Sequence, residues 1–173
     1  MATKKDENLV VNGRVELVAT KTGTRKYNDS GELLDSGEIM ATVSNHNIIC
    51  NEGLLLIAGF AMDESATYDT GITYCEIGTG TTTPAAGDSA MTTYSTRKVA
   101  TSRSRSSYEV TISTFFTAAQ STYAIEEAGV WGGGDATGVP ASGLLFSHFL
   151  ASFDNSGGNY DITITYILTV ARG

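Results

Sequence analysis

The side chains best suited to nucleophilic or metal chemistry are few in this chain, which has two histidines and two cysteines. His46 and Cys50 are close in sequence, but a zinc site needs three or four ligands and this pair supplies only two. The pairing also lacks an orienting carboxylate nearby, and no Gly-x-Ser-x-Gly elbow is present. His148 stands alone, without ligand spacing. We therefore expect no enzyme, no catalytic residue, no metal site and no cofactor.

A glycine-rich stretch invites comparison with nucleotide-binding loops. Residues 72–77 are typical of a strand, and GTGTTTP follows them at 78–84. A P-loop needs a lysine and a serine or threonine after its last glycine, at the start of a helix, whereas proline and two alanines follow here. A dinucleotide fingerprint needs a third glycine where this chain has Thr83. We interpret the stretch as a wide connection between strands, flexible at its glycines and stiffened by Pro84.

Two adjacent glutamates, Glu126 and Glu127, are the most informative carboxylates. Neighbouring residues of a strand point to opposite faces, so one of the two is expected to point inward. A buried carboxylate needs a partner, and we choose Arg97, which predicts a structural Arg97–Glu127 pair. The alternative is that both glutamates lie in solvent at a strand end. A glycosidase pair is excluded because its two carboxyl groups must face one cleft.

Composition indicates an all-β protein. Its acidic charge disfavours binding to negatively charged partners. Charged residues make up 17% of the chain, 19 glycines stand against 2 prolines, and the net charge is −8. An acidic chain of this kind disfavours binding to nucleic acid or to an anionic membrane surface. The start of the chain lacks the apolar segment of a signal peptide, and no apolar run reaches the roughly 18 residues of a membrane span. We therefore expect synthesis in the cytosol.

Hydrophobic alternation predicts about eight strands joined by turns. They are expected at residues 9–20, 39–50, 72–77, 92–106, 108–117, 121–131, 143–153 and 160–171. Turn residues at 21–37 indicate a hairpin or an exposed loop. The one helix is expected at 51–63, and because it is apolar nearly all round it is predicted to be buried. The fold class is therefore an antiparallel β-sandwich, jelly-roll or Greek-key-like, with one short buried helix: an N-terminal arm at 1–12 and a single domain at 13–173.

A basic segment interrupts this acidic chain. It holds Arg97, Lys98, Arg103 and Arg105, 4 of the 11 basic residues. It is either a solvated strand or a patch that meets an acidic neighbouring subunit, since potentials across interfaces are matched. No aromatic side chains are interleaved to stack on bases. The cysteines, Cys50 and Cys75, are expected to be free and buried, although a bridge between them stays open.

Several of these segments together resemble a broad group of tailed-bacteriophage virion proteins. The resemblance rests on NIICNEG at 47–53 leading into an apolar helix, IGTGTTTPAAGDSAM at 77–91, Arg97, and AIEEAG at 124–129. Met91 stands where leucine is commoner in the group. The resemblance covers residue 47 to the end of the sequence.

The resemblance implies a virion structural protein rather than an enzyme. It implies a capsid decoration or cement protein, a homotrimer that binds the major capsid protein or other virion subunits and bridges capsomers. A tail, baseplate or tail-fibre-associated module is the alternative. Lys4 and Lys5 of the arm, with Arg103 and Arg105, are the candidate capsid contacts.

A carbohydrate- or receptor-binding module is a further alternative. Tyr68, Tyr74, Tyr94 and Trp131 could form an aromatic platform for a sugar. Trp131, which stands beside three glycines, is the candidate exposed aromatic, whereas a core tryptophan at a strand end is the competing interpretation.

Overall fold

The structure is a computed structural model and describes residues 9–61 and 70–172. Antiparallel pairing joins every neighbouring pair of strands among them. The strands are β1 (Leu9–Lys21), β2 (Lys26–Tyr27), β3 (Leu33–Asp35), β4 (Ile39–His46), β5 (Ile48–Ile49), β6 (Ile72–Gly78), β7 (Tyr94–Val99), β8 (Ser102–Ser106), β9 (Glu109–Phe116), β10 (Ala124–Gly132), β11 (Leu144–Asp154) and β12 (Tyr160–Arg172). The helix α1 spans Asn51–Ala61, and a single 3₁₀ turn spans Ala118–Gln120.

Two five-stranded sheets form the predicted β-sandwich. The first sheet has the order β4-β1-β12-β9-β8, and the second has the order β5-β11-β10-β6-β7. The first described strand and the last one pair along their whole length, with Leu9 opposite Arg172 and Lys21 opposite Tyr160. Residues 9–12 of the predicted arm therefore lie in β1, while residues 1–8, with Lys4 and Lys5, lie outside the described residues.

The core lies between the sheets and follows the alternation of the sequence. In β12, every second residue from Ile162 to Leu168 is buried, as the pattern predicts. β1 buries Val15, Leu17 and Ala19 in the same way. β9 alternates too, and it buries Ile112, Thr114 and Phe116.

The basic segment does not form one strand. β7 belongs to the second sheet and β8 to the first, so the prediction of a single strand at 92–106 is wrong. The N–H of Ala100 donates to Thr73 of β6, and the N–H of the next residue, Thr101, donates to Ser113 of β9. Two adjacent peptide groups thus bond to different sheets, and this is how the chain crosses the sandwich.

The helix is present, but the prediction that it is buried is wrong for one side. Gly53, Leu56 and Gly59 are buried on the side that packs on β11. Gly53 lies so close to the carbonyl of Phe146 that a side chain there would collide with backbone. The opposite side is exposed and consists of Asn51, Leu54, Leu55, Ala58 and Ala61.

The predicted turn region at 21–37 forms a small exposed hairpin of β2 and β3. The side-chain oxygen of Asn28 accepts hydrogen bonds from the N–H groups of Ser30 and Glu32, which closes the turn. All five strand residues of this hairpin are exposed. It adjoins β4, which is one edge of the first sheet.

Candidate functional site

Buried charged groups gather on the outer face of the second sheet. Two loops cover this face: residues 79–93, between β6 and β7, and residues 133–143, between β10 and β11. Beneath them Glu76, Glu127 and His148 are each at most 1% exposed. Since an unpaired buried charge is strongly unfavourable, the partners of these groups explain why they are there.

Glu127 holds both ends of the 79–93 loop. Its carboxylate accepts hydrogen bonds from the N–H groups of Gly80 at 3.1 Å, Thr92 at 3.1 Å and Thr93 at 2.6 Å. Gly80 is required at its position because a Cβ atom there would overlap the Glu127 carboxylate. The loop is thus anchored by a buried charge, and its first glycine allows a close approach rather than flexibility.

His148 links this carboxylate to the middle of the same loop. Its Nε2 lies 2.9 Å from Glu127 Oε2, and its Nδ1 lies 2.7 Å from Asp88 Oδ2. Each ring nitrogen of His148 is thus within hydrogen-bond distance of a carboxylate oxygen, one from the loop and one from β10. We call Asp88, His148 and Glu127 the histidine cluster.

Arg97 pairs with Glu76, and the predicted Arg97–Glu127 pair is wrong. Arg97 Nη1 lies 2.6 Å from Glu76 Oε1, and both side chains are 1% exposed. The register explains the choice: Arg97 in β7 stands directly opposite Glu76 in β6, whereas Glu127 stands opposite Gly78. Glu127 is buried, as the sequence predicts for one of the two adjacent glutamates, but beneath the 79–93 loop on the outer face rather than between the sheets.

This ion pair also fixes the 133–143 loop. The Ala141 N–H donates to Glu76 Oε1 at 2.9 Å, and Arg97 Nη2 donates to the Ser142 carbonyl at 2.8 Å. Each loop over the outer face is therefore tied to the sheet by its own buried carboxylate.

Trp131 lies beneath the guanidinium and is fully buried, so its assignment as an exposed aromatic is wrong. The Arg97 guanidinium carbon lies 5.1 Å from the Trp131 ring centre and 4.7 Å from that of Tyr74. Cys50 and Leu145 complete the packing around the indole. This is the alternative that the sequence left open, a core tryptophan at the end of a strand.

The remaining basic residues separate from this site. Lys98 donates to the Gln120 side chain, whereas Arg103 and Arg105 lie exposed on β8 at the edge of the first sheet. The four basic residues are close in sequence but lie in three different environments, because the chain passes from the second sheet to the first between Lys98 and Arg103.

The buried cluster is unsuited to acid–base or nucleophilic chemistry. A catalytic histidine needs a ring nitrogen within reach of a substrate or nucleophile, and both nitrogens of His148 are bonded to carboxylates. Both cysteines are free. Burial first, and then the nearby Asp88 carboxylate, raises the pKa of the Cys50 thiol to about 12, so it stays protonated. Burial likewise raises the pKa of Cys75.

The described residues form neither a metal-binding group nor a membrane-spanning helix. Within residues 9–61 and 70–172, no group of three or more histidine, cysteine or acidic side chains is placed to hold a metal ion. In the same part of the chain, no helix has the length and apolar character to cross a membrane.

Sequence reasoning missed three members of the two networks: Glu76, Asp88 and His148. Asp88 and His148 are 60 positions apart and come from a loop and a strand. The signal that could have found Glu76 is its place in β6, where a charged side chain interrupts an otherwise apolar strand.

Comparison with known proteins gives no relative. No protein-family model, no curated protein and no solved structure matches this chain.

The Asp88 bond predicts a specific acid dependence of stability. Burial alone would raise the pKa of this carboxyl, but the Ala85 N–H and the bond and charge of His148 lower it below its ordinary value. Folding therefore favours the ionised form; its contribution is complete above the unfolded pKa of about 3.9 and is lost as pH falls through the lower folded pKa. We expect the difference in unfolding free energy between wild type and Asp88→Asn to be largest at about pH 5 and to shrink steadily below about pH 4.

Denaturant titrations from pH 6 to pH 2.5 measure this difference. Asp29→Asn, which removes an exposed carboxylate from the hairpin turn, is the control and should show no such change. A constant difference between wild type and Asp88→Asn over the whole range would contradict the expected linkage.

Proposed function

We propose that this chain is a non-enzymatic structural subunit of a tailed-bacteriophage virion, specifically a capsid decoration protein that bridges neighbouring capsomers. The observation that carries the proposal is the outer side of α1. This side exposes Leu54 and Leu55, about half of each, together with Ala58 and Ala61, and has no charged residue. Such a surface on an acidic chain is typical of a protein that is covered on assembly.

The way the buried charges are used supports a structural role. The buried charged side chains Glu127, Glu76 and Arg97 form hydrogen bonds that hold two loops against the second sheet. Glu127 alone accepts hydrogen bonds from three backbone N–H groups and lies 2.9 Å from His148. Rigid loops on a sandwich present a fixed surface, and fixed surfaces bind with little ordering cost.

The buried aromatic residues argue against the sugar-binding alternative. Trp131 is enclosed, and Tyr74 is partly buried beneath the Arg97 guanidinium. Tyr94 is half exposed, while Tyr68 lies outside the described residues. The three candidate rings that the structure describes therefore form no exposed stacked platform.

A decoration protein acts through repetition. Each copy would bury the apolar side of α1 against the major capsid protein and add contacts across a capsomer boundary. A specific interface buries about 1,200–2,000 Å², and linkage of copies over a shell multiplies weak contacts by avidity.

The experiment adds purified protein to capsids that lack it and maps the bound density by electron microscopy. We expect density between capsomers, with α1 facing the shell. The double variant Leu54→Glu/Leu55→Glu should lose binding by at least tenfold while keeping the wild-type melting temperature, because both side chains already face water.

Val139→Glu is the matched control, since Val139 is also an exposed aliphatic residue but lies in the 133–143 loop. It should bind as the wild type does. Density confined to the neck, tail or fibres would replace the decoration role with a tail role. Wild-type binding by the double variant would remove α1 from the interface.

A further inference from the structure

Two exposed surfaces of opposite charge lie at opposite edges of the first sheet. One is the hairpin of residues 26–38, which leads into β4, and we call it the acidic hairpin. The other is β8 with its flanking residues Val99 and Tyr108, and we call it the basic edge. In the sheet order β4-β1-β12-β9-β8, the strands β4 and β8 are the two outermost.

The acidic hairpin combines negative charge with exposed apolar side chains. Residues 28–38 contain four acidic side chains and no basic one. Two of the four, Asp35 and Glu38, make long, exposed ion pairs with Lys26 and Lys21, and such pairs contribute little. The apolar side chains that the hairpin and the start of β4 expose are Tyr27, Leu33, Leu34, Ile39 and Met40.

The basic edge has the complementary character. All five residues of β8 are exposed, and the described residues pair it with β9 on one side only. Arg103 and Arg105 have no carboxylate within ion-pair distance in the described part of the chain. Val99 and Tyr108 flank the strand, and both are large apolar residues that are more than half exposed.

The direction of the two arginines adds to this picture. Arg103 stands opposite Ile112, and Arg105 opposite Val110, so both belong to the inner face of the first sheet. Inward-pointing charges on an edge strand oppose indiscriminate pairing with other edges. They select a partner that brings carboxylates to this position.

We propose that the acidic hairpin of one copy docks on the basic edge of a second copy. Apolar side chains meet apolar side chains, and Asp29 and Glu32 meet Arg103 and Arg105. Because the two surfaces lie at opposite edges of one sheet, each copy can offer its hairpin and receive another at the same time. Such a head-to-tail interface forms a ring where the rotation closes. This self-association goes beyond the proposed function and does not depend on capsid binding.

Charge exchange tests the proposal in solution. Wild-type protein at about 100 µM is expected to sediment as an oligomer of the 18.2 kDa chain. The variant Arg103→Glu/Arg105→Glu and the variant Asp29→Lys/Glu32→Lys should each sediment as a monomer, since like charges then face each other. The variant that carries all four changes restores opposite charges with exchanged signs, and it should recover the oligomer.

Two controls separate charge pairing from damage to the fold. Arg14→Glu reverses an exposed arginine elsewhere on the same sheet and should leave the mass unchanged. All variants should keep the wild-type melting temperature to within a few degrees. A monomeric wild type, unchanged mass in either double variant, or failure of the fourfold variant to reassemble would each overturn the proposal. None of these results depends on whether the protein binds a capsid.

Discussion

Glu127→Ala is expected to lower the free energy of unfolding by about 3–5 kcal/mol, which is the usual range for removing one partner of a buried charged network. The carboxylate is fully buried and accepts hydrogen bonds from three backbone N–H groups. Its removal leaves these donors without acceptors and leaves the His148 ring bonded to Asp88 alone. The Gly80 bond is buried and the bonds from Thr92 and Thr93 are partly buried, so solvent replaces the missing oxygen atoms only in part.

Chemical denaturation of the folded protein measures this change. Glu126→Ala is the control, because Glu126 is the adjacent carboxylate on a half-buried position, and it should lose less than about 1 kcal/mol. Glu127→Gln keeps the shape of the side chain but turns a donor toward N–H donors, so a loss of more than about 1 kcal/mol is expected. A loss below that value for Glu127→Ala would contradict the anchoring role.

Hydrogen exchange localises the same effect. In the wild type the amides of Gly80, Thr92 and Thr93 donate to Glu127, and they should exchange slowly. In Glu127→Ala they should exchange faster, while the amides of β12 in the first sheet change only with the global stability. If the amides of β12 exchanged faster by the same factor as those of the 79–93 loop, Glu127 would not stabilise the loop separately from the rest of the fold.

The fold was largely predictable because alternation is a local signal. β12 carries its apolar residues at every second position from Ile162 to Leu168, and the structure buries that set. The crossing at residues 99–102 was not predictable in this way. Ala100 and Thr101 bond to different sheets, and nothing in their own sequence distinguishes this from a continuous strand.

The helix shows a different limit of sequence reasoning. An apolar surface is expected to be buried, but the sequence does not say whether the chain itself or another molecule buries it. Leu56 faces β11, whereas Leu54 and Leu55 face outward. The predicted burial was therefore right for one side of the helix, and the other side is the exposed apolar surface on which the proposed function is argued.

The charged site was half predictable. The burial of Glu127 follows from its place in the apolar strand β10, whereas Arg97 lies in the polar strand β7 and its burial does not follow from its neighbours. The identity of each partner depends on register. Arg97 stands opposite Glu76, and His148 approaches Glu127 from β11. Choosing among several carboxylates and bases requires strand order, which alternation does not provide.

Arg97→Met is the second change with a large expected effect, a loss of about 3–5 kcal/mol in the free energy of unfolding. It leaves the Glu76 carboxylate 1% exposed, with the Ala141 N–H as its remaining donor. It also removes the donor to the Ser142 carbonyl and the positive charge over the Trp131 ring. Lys98→Met, one residue along the same strand, is the control and should lose less than about 1 kcal/mol, since it breaks a single exposed bond to Gln120.

A double-mutant cycle decides whether the loss comes from the unpaired charge. The variant Glu76→Met/Arg97→Met removes both charges of this ion pair, so neither is left buried without its partner. Replacing a buried pair by apolar side chains is often close to neutral. We therefore expect the double variant to be more stable than Arg97→Met alone, with a coupling energy of at least about 2 kcal/mol by denaturation. Additive losses would contradict the pairing. In the double variant Ala141 and Ser142 would still lack partners, so faster exchange confined to the 133–143 loop would separate anchoring from charge neutralisation.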